Sequence, residues 1–144
     1  MAAAEEFQVK IVCPGRDPID KVVYRASTWA KDGFLEIYPD HAPIAYALGE
    51  GVCTLYEHGT ETTMAIFGGI AHCYKNVLEI FTPYIEYPEE IDVDRAREAL
   101  HRTRVRIQGK DPDVPKNKLE SKRAFAARER AKLRLSLKGI QVDE

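Results

Sequence analysis

The hydrophobic pattern of this chain changes period once, near Asp92, and this change constrains the fold more than any other feature. Before it, apolar and polar residues alternate, as in Phe7–Cys13, which is the period of a strand with one buried face. After it, apolar residues recur at helical spacing, first from Asp92 and again over Lys118–Leu137. The 144 residues are therefore predicted to form a β-domain at residues 1–87 and a two-helix hairpin at residues 88–144.

Frequent turn signals divide the first part into short strands. His58–Glu61 and Lys75-Asn76 each separate two β-rich runs, so two hairpins are expected there. Lys21–Ala30 is rich in β-favouring residues, and Asp32-Gly33 follows as a turn signal before Phe34–Tyr38, so consecutive antiparallel pairing of these two runs is expected. Because no helical segment lies between these runs, the expected fold is an antiparallel β-sandwich or flattened barrel.

The second part has two apolar stripes that are rich in alanine. They are Ala96, Ala99, Leu100, Thr103 and Ile107 in the first helix, and Ala124, Ala127, Ala131 and Leu135 in the second. Gly109, Pro112 and Pro115 separate the two helices. Alanine allows close approach of helices but buries little apolar area, so the hairpin is expected to be weakly held and mobile.

Charge is distributed very unevenly, although the formal net charge is only -2. Residues 1–94 carry 6 Lys/Arg and 16 Asp/Glu, a net charge of -10, whereas residues 95–138 carry 15 Lys/Arg and 5 Asp/Glu, a net charge of +10. A basic helical hairpin is compatible with a solvated face, a phosphate-bearing ligand, nucleic acid or an acidic protein partner, and charge alone does not choose among them.

The sequence contains no recognisable catalytic motif. Cys13, Cys53 and Cys73 are far apart in apolar runs, where buried, unreactive thiols are expected. Gly68-Gly69 lacks the spacing of a phosphate loop and predicts a bulge or a close backbone contact. His41 has no nucleophile or second ligand nearby and is expected to fix its loop by hydrogen bonding. No catalytic residue, metal site or required cofactor is predicted, and an enzyme is the least supported class.

The order and spacing of several motifs resemble the epsilon subunit of bacterial F-type ATP synthases over nearly the full length. The motifs are Gly33–Pro43, Gly51-Val52, Gly68-Gly69 and Glu90–Ala96. The resemblance implies a noncatalytic rotor subunit of a proton-translocating enzyme, with a β-sandwich between the gamma subunit and the membrane c-ring. It also implies a peripheral position on the cytoplasmic face of the plasma membrane. No run approaches the roughly 20 apolar residues of a membrane-spanning helix, so no direct insertion is expected.

The first motif supplies a candidate interface with the c-ring or gamma subunit, at Phe34 and His41. The family pattern has an acidic residue where this chain has Phe34, so an apolar contact is expected in place of a charged one. The pattern also has glycines where this chain has Glu36 and Asp40.

The resemblance further implies ATP as a regulatory ligand. The family's nucleotide-binding positions fall on Glu86, Ile91, Asp92, Arg95, Ala96, Arg102, Arg130 and Arg134. Arginines from two helices suit a triphosphate, and carboxylates suit donors on adenine or ribose. The alternative is structural: Asp92 is well placed as an N-cap, and arginines are ordinary on an exposed helix.

The implied mechanism is a switch between a compact and an extended hairpin. ATP would favour the compact form, and without it the helices would extend toward the catalytic alpha and beta subunits, where Arg123, Arg128 and Lys132 would contact acidic residues and restrain hydrolysis. One alternative is the same rotor subunit without a response to nucleotide. A more remote alternative is a nucleic-acid-binding protein, which is disfavoured because Phe125 is the only aromatic residue between Arg95 and Lys138. No nucleic-acid partner is therefore expected.

Overall fold

The computed structural model describes residues 4–108 and 118–142, and the chain divides into two compact units, Met1–Tyr87 and Pro88–Glu144. Within the described residues the strands are β1 Phe7–Val12, β2 Ile19–Val23, β3 Arg25–Ala30, β4 Gly33–Ile37, β5 Ile44–Glu57, β6 Thr60–Tyr74, β7 Val77–Phe81 and β8 Ile85–Glu86. A short 3-10 helix, Pro88–Glu90, precedes α1 Val93–Ile107 and α2 Lys118–Leu137. No helix in these ranges is long and apolar enough to cross a bilayer.

The first unit is the predicted β-sandwich, built around one long hairpin. The strands follow the order β2-β1-β7-β6-β5-β3-β4, and β8 pairs with β6. β5 and β6 pair without a register shift from Ile44 opposite Cys73 to Glu57 opposite Thr60, and β6 continues into β7 through Lys75-Asn76. Both predicted hairpins are therefore confirmed.

Two features of the strand pairing differ from the prediction. Lys21–Ala30 is two strands, because the chain leaves its pairing with β1 at Tyr24 and begins pairing with β4 and β5. The Tyr24 amide donates a 3.0 Å hydrogen bond to the Tyr56 carbonyl at this crossing. In addition, β1 runs parallel to β7, with Val9 opposite Leu78. Local turn signals identify hairpins but cannot specify a parallel pair separated by most of the domain.

The Gly68-Gly69 pair makes the close backbone contact that the sequence predicts. Gly69 has φ +117°, and a Cβ built on it would lie 2.1 Å from the Phe81 carbonyl oxygen. Glycine is required here both by the backbone conformation and by the space available.

The sandwich core is apolar and includes the three cysteines. Cys13, Cys53 and Cys73 are all buried and unpaired. Burial raises the pKa of the Cys53 thiol to about 12, so this residue is a small hydrophobe at neutral pH.

The helical unit has a much smaller core, as its alanine content predicts. Ala96, Leu100, Ala131 and Leu135 form its buried cluster, with Val93, Ala99, Ile140 and Val142 packed against them. Gly139 ends α2 with φ +78°, and the Ile140 amide donates to the Leu135 carbonyl at 2.9 Å. This hydrogen bond and the glycine are the Schellman arrangement, which brings Ile140 back onto the helices.

Candidate functional site

Asp92 begins α1 and has the capping role that the structural alternative assigns to it. Its backbone is extended, and its carboxylate Oδ1 accepts a 3.1 Å hydrogen bond from the Arg95 amide. One carboxylate oxygen is thus used by the helix terminus. The Arg95 side chain is exposed and takes no part in this bond, which uses its backbone amide.

Five arginines of the helical unit each come directly before a buried residue. The five are Arg95 before Ala96, Arg102 before Thr103, Arg123 before Ala124, Arg130 before Ala131 and Arg134 before Leu135, and together we call them the arginine face. Each residue turns an α-helix by about 100°, so every one of these arginines flanks its buried stripe in the same rotational sense.

The two helices are antiparallel, which brings the two rows of arginines together. Ala96 and Leu100, near the start of α1, share a buried cluster with Ala131 and Leu135, near the end of α2. When antiparallel helices face each other, flanks of the same rotational sense lie on one face of the pair. Four of the five are predicted ATP-binding residues, and Arg123 is the fifth.

The opposite face of the hairpin is also basic but contains an apolar pocket. Arg97, Arg104 and Lys132 each follow a buried residue and so lie on the other flank. A shallow pocket of about 220 Å³ is lined there by Arg97, Leu100, Arg104, Leu135, Ile140, Gln141 and Val142. This volume is below the roughly 300 Å³ at which small-molecule sites begin.

The remaining predicted nucleotide residues are buried. Glu86 lies on β8 in the first unit, where it pairs with Ala65 of β6. Ile91 and Ala96 are only 6% and 5% exposed, and Ala96 belongs to the core between the helices. Packing explains the apolar character of these two positions, and the part of all three residues in nucleotide binding remains a prediction.

The three residues predicted to make the inhibitory contact do not share one face. Arg123 belongs to the arginine face, whereas Lys132 lies on the opposite flank. Arg128 lies over the Phe125 ring at 4.8 Å and bonds Glu129 at 3.4 Å, and Lys132 lies 3.8 Å from the same carboxylate. These pairs are partly exposed and contribute little to stability.

The candidate interface residues Phe34 and His41 lie on separate surface features of the sandwich unit. Phe34 is 55% exposed and packs on Trp29 across the β3–β4 hairpin, with 5.1 Å between ring centroids. The His41 Nδ1 is 2.7 Å from the Ala42 carbonyl oxygen, so the side chain does fix its own loop. Phe34 and Trp29 give this hairpin an exposed aromatic surface.

A second exposed apolar surface was not predicted from the sequence. Val12 of β1, Phe81 of β7, Ile70 of β6 and Ala47 of β5 are successive cross-strand neighbours, and we call them the apolar row. All four are exposed, Ile70 and Phe81 by about half. Such a row on the outer face of a sheet is typical of a protein contact surface. The signal for it in the sequence is Val12, an apolar residue at a position of β1 where the alternation of Phe7–Ile11 predicts a polar one.

The structure offers no metal centre within the described ranges, since no cluster of three or more His, Cys, Asp or Glu side chains there could hold an ion.

Comparison with known proteins agrees with this architecture. The family described as the beta-sandwich domain of the ATP synthase delta/epsilon chain matches residues 6–88. A protein named ATP synthase epsilon chain from Gloeobacter violaceus is 33% identical over 133 residues, which cover 92% of this chain and 97% of the relative. A relative of the same name from Koribacter versatilis is 33% identical over 110 residues, or 76% of this chain and 78% of its own.

Solved structures extend the match to the whole fold. A chain in the Euglena gracilis mitochondrial ATP synthase, solved with OSCP, F1 and c-ring, has a TM-score of 0.69 at 20% identity and covers 96% of this chain and 81% of its own. A chain from the central stalk and c-ring of the Tetrahymena thermophila mitochondrial ATP synthase has a TM-score of 0.59 at 15% identity, with coverage of 95% and 99%. At these identities the matches indicate a shared fold.

Proposed function

The chain belongs to the ATP synthase delta/epsilon chain family, and we propose from this premise that it is the noncatalytic epsilon subunit of the rotor in a bacterial, proton-translocating F-type ATP synthase. The observation that carries the proposal is the near full-length match to an epsilon chain, which includes the helical unit as well as the sandwich. In this role it couples the membrane ring to the gamma shaft, peripherally on the cytoplasmic face of the plasma membrane, without making or breaking a bond.

The sandwich unit is the part assigned to the rotor contacts. The apolar row supplies four exposed uncharged side chains on four neighbouring strands, which suits burial against the gamma subunit. The Trp29–Phe34 hairpin and the His41 loop are assigned to the c-ring. An aromatic contact by Phe34 replaces the acidic residue of the family pattern.

The helical unit is the part assigned to regulation by ATP. The arginine face places guanidinium groups of both helices on one surface, where a triphosphate can bridge them. Hydrogen bonds to charged groups contribute about 1.5–3 kcal/mol each, so several of them offset the ordering of a weakly packed hairpin. ATP thereby favours the compact hairpin over the extended one, to the extent that it binds the compact form more tightly.

The extended hairpin restrains hydrolysis through its basic surface. Arg123, Arg128 and Lys132 are assigned to acidic groups of the alpha and beta subunits. Because Arg123 also lies on the arginine face, ATP and the catalytic subunits compete for at least one residue. ATP is a regulatory ligand in this scheme and not a required cofactor.

A second candidate function is the same rotor subunit with a purely structural hairpin. The N-cap role of Asp92 favours it, because the cap explains that residue without nucleotide. Calorimetric titration of the full chain with ATP separates the two candidates, since only the regulatory one predicts heat of binding.

Reconstitution tests the rotor assignment itself. The full chain is added to a gamma–c-ring assembly and to a complete ATP synthase from which the epsilon subunit has been removed. The proposal expects stoichiometric binding to both, and slower hydrolysis in the complete enzyme at low ATP. A chain that binds neither assembly would contradict it.

A further inference from the structure

Asp40 and Asn76, 36 residues apart, are joined by two hydrogen bonds in opposite directions. The Asp40 amide donates to the Asn76 Oδ1 at 2.7 Å, and the Asn76 Nδ2 donates to the Asp40 Oδ1 at 3.0 Å. The second carboxylate oxygen, Oδ2, accepts from the Ala4 amide at 2.8 Å. We call this set of three bonds the Asp40–Asn76 clasp.

The clasp joins three separate segments of the sandwich unit. Asp40 lies in the Pro39–Pro43 loop that carries His41, and Asn76 lies in the turn between β6 and β7. The Asn76 carbonyl also accepts a 3.0 Å hydrogen bond from the Gln8 amide in β1. The loop is thereby tied to the sheet and to the segment before β1.

Both clasp residues have a positive backbone φ, which residues other than glycine rarely adopt. Asp40 and Asn76 each have φ +61°. Asp and Asn tolerate this region because their short polar side chains can hydrogen-bond nearby. The family pattern has glycine where this chain has Asp40. Glycine would accept the same φ, but it could not form the side-chain hydrogen bonds, so the loop would have more conformational freedom.

We propose that Asp40 is a positioning residue, which acts with Asn76 to hold the Pro39–Pro43 loop in the conformation that binds the rotor. The inference rests on the proposed function, because the loop is there assigned to the c-ring. A loop that is already ordered loses less conformational freedom when it binds, so affinity rises without a new contact. His41 is the residue held in place, as it follows Asp40 directly and its ring contacts the Ala42 carbonyl.

Glycine variants test the clasp without straining the backbone. Asp40→Gly and Asn76→Gly both accept φ +61°. Asn76→Gly removes both reciprocal bonds, whereas Asp40→Gly removes the bonds to the Asp40 carboxylate from Asn76 Nδ2 and from the Ala4 amide. Asp20→Ala is the matched control, because it also removes an exposed aspartate bonded to a side-chain amide, here Gln8 Nε2 at 2.7 Å. Amide hydrogen exchange of the isolated full chain gives the first readout. We expect the residue-40 amide to exchange about 10-fold faster or more in Asn76→Gly, which removes its acceptor, faster to a smaller extent in Asp40→Gly, and at the wild-type rate in the control.

Affinity for the reconstituted gamma–c-ring assembly gives the second readout. Both glycine variants should bind about 3- to 10-fold more weakly than wild type, and the control should match wild type. Unchanged exchange, or faster exchange with unchanged affinity, would overturn the positioning role alone. Failure of the wild-type chain to bind the assembly would instead overturn the rotor assignment, and the positioning role with it.

Discussion

The Asp92 carboxylate caps α1 by accepting a hydrogen bond from the Arg95 amide, so two residues of the predicted nucleotide motif are first of all a helix start. Capping and nucleotide binding are compatible, because the cap uses the Arg95 backbone and one oxygen of Asp92. The Arg95 guanidinium stays on the arginine face.

Substitutions at Asp92 separate these two roles. Asn is as good an N-cap as Asp, whereas Ala costs about 1 kcal/mol of helix stability. Asp92→Asn should therefore keep the hairpin as stable as wild type, while Asp92→Ala should destabilise it by about that amount. Amide exchange in α1 measures this, and equal destabilisation by both variants would contradict the capping role. If the carboxylate also accepts hydrogen bonds from ATP, both variants should weaken ATP binding, and Asp92→Asn should do so without destabilising α1.

Gly69→Ala should destabilise the sandwich far more than Gly59→Ala. Both glycines have positive φ, but an added Cβ at Gly59 meets nothing within 4 Å, whereas at Gly69 it meets the Phe81 carbonyl oxygen. Gly59→Ala should cost about 1–2 kcal/mol for the backbone conformation alone. Gly69→Ala should exceed it by at least about 1–3 kcal/mol, the usual cost of overpacking. Urea unfolding followed by Trp29 fluorescence measures both, and equal midpoints would contradict the close contact.

Phe81→Ser should weaken binding to the gamma subunit if the apolar row is the rotor surface. Phe81 is about half exposed and lies between Val12 and Ile70, so the substitution removes the central side chain of the row. Val22→Ser is the matched control, since Val22 is 55% exposed on edge strand β2 and outside the row. Affinity for isolated gamma subunit should fall about 10-fold or more for Phe81→Ser and stay within twofold for the control. Equal affinities would remove the row from the interface.

The Asp40–Asn76 clasp predicts a pH dependence. Hydrogen bonds from the Asn76 side chain and the Ala4 amide hold the pKa of Asp40 below its ordinary value of 3.8. Because this pKa is lowered in the folded state, the clasp contributes fully above pH 3.8, and its contribution is lost as pH falls through the lowered pKa. Carboxyl NMR titration should find the pKa of Asp40 depressed in wild type and moved back toward 3.8 in Asn76→Gly. Thr60→Ala, at the start of β6 and far from the clasp in the strand pairing, should leave it depressed. An Asp40 pKa that Asn76→Gly does not change would contradict the clasp.

The parts of the fold that depend on local signals were predictable. The turns at His58-Gly59 and Lys75-Asn76 and the bounds of α2 follow from turn chemistry and hydrophobic period. The parallel pairing of β1 with β7 and the break at Tyr24 were not, because they depend on contacts between residues distant in sequence. For the same reason Asp40 and Asn76 could each be predicted as turn residues, but not as partners.

The candidate site was predictable in residue type but not in arrangement. Helical spacing alone places Arg95 and Arg102 on one flank of α1, and Arg130 on one flank of α2. That these flanks share a face follows only from the antiparallel contact of Ala96 and Leu100 with α2. The family resemblance implies the residues, and the arginine face places four of them on one surface of the helix pair.

The central claim is that the arginine face binds ATP, and calorimetric titration of the full chain tests it most directly. Arg95→Ala is compared with Arg97→Ala, which removes the same charge two residues away on the opposite face. Loss of one charged hydrogen bond should weaken ATP binding about 10-fold or more for Arg95→Ala, and Arg97→Ala should stay within about threefold of wild type. No heat of binding in wild type, or an equal loss in both variants, would contradict the claim.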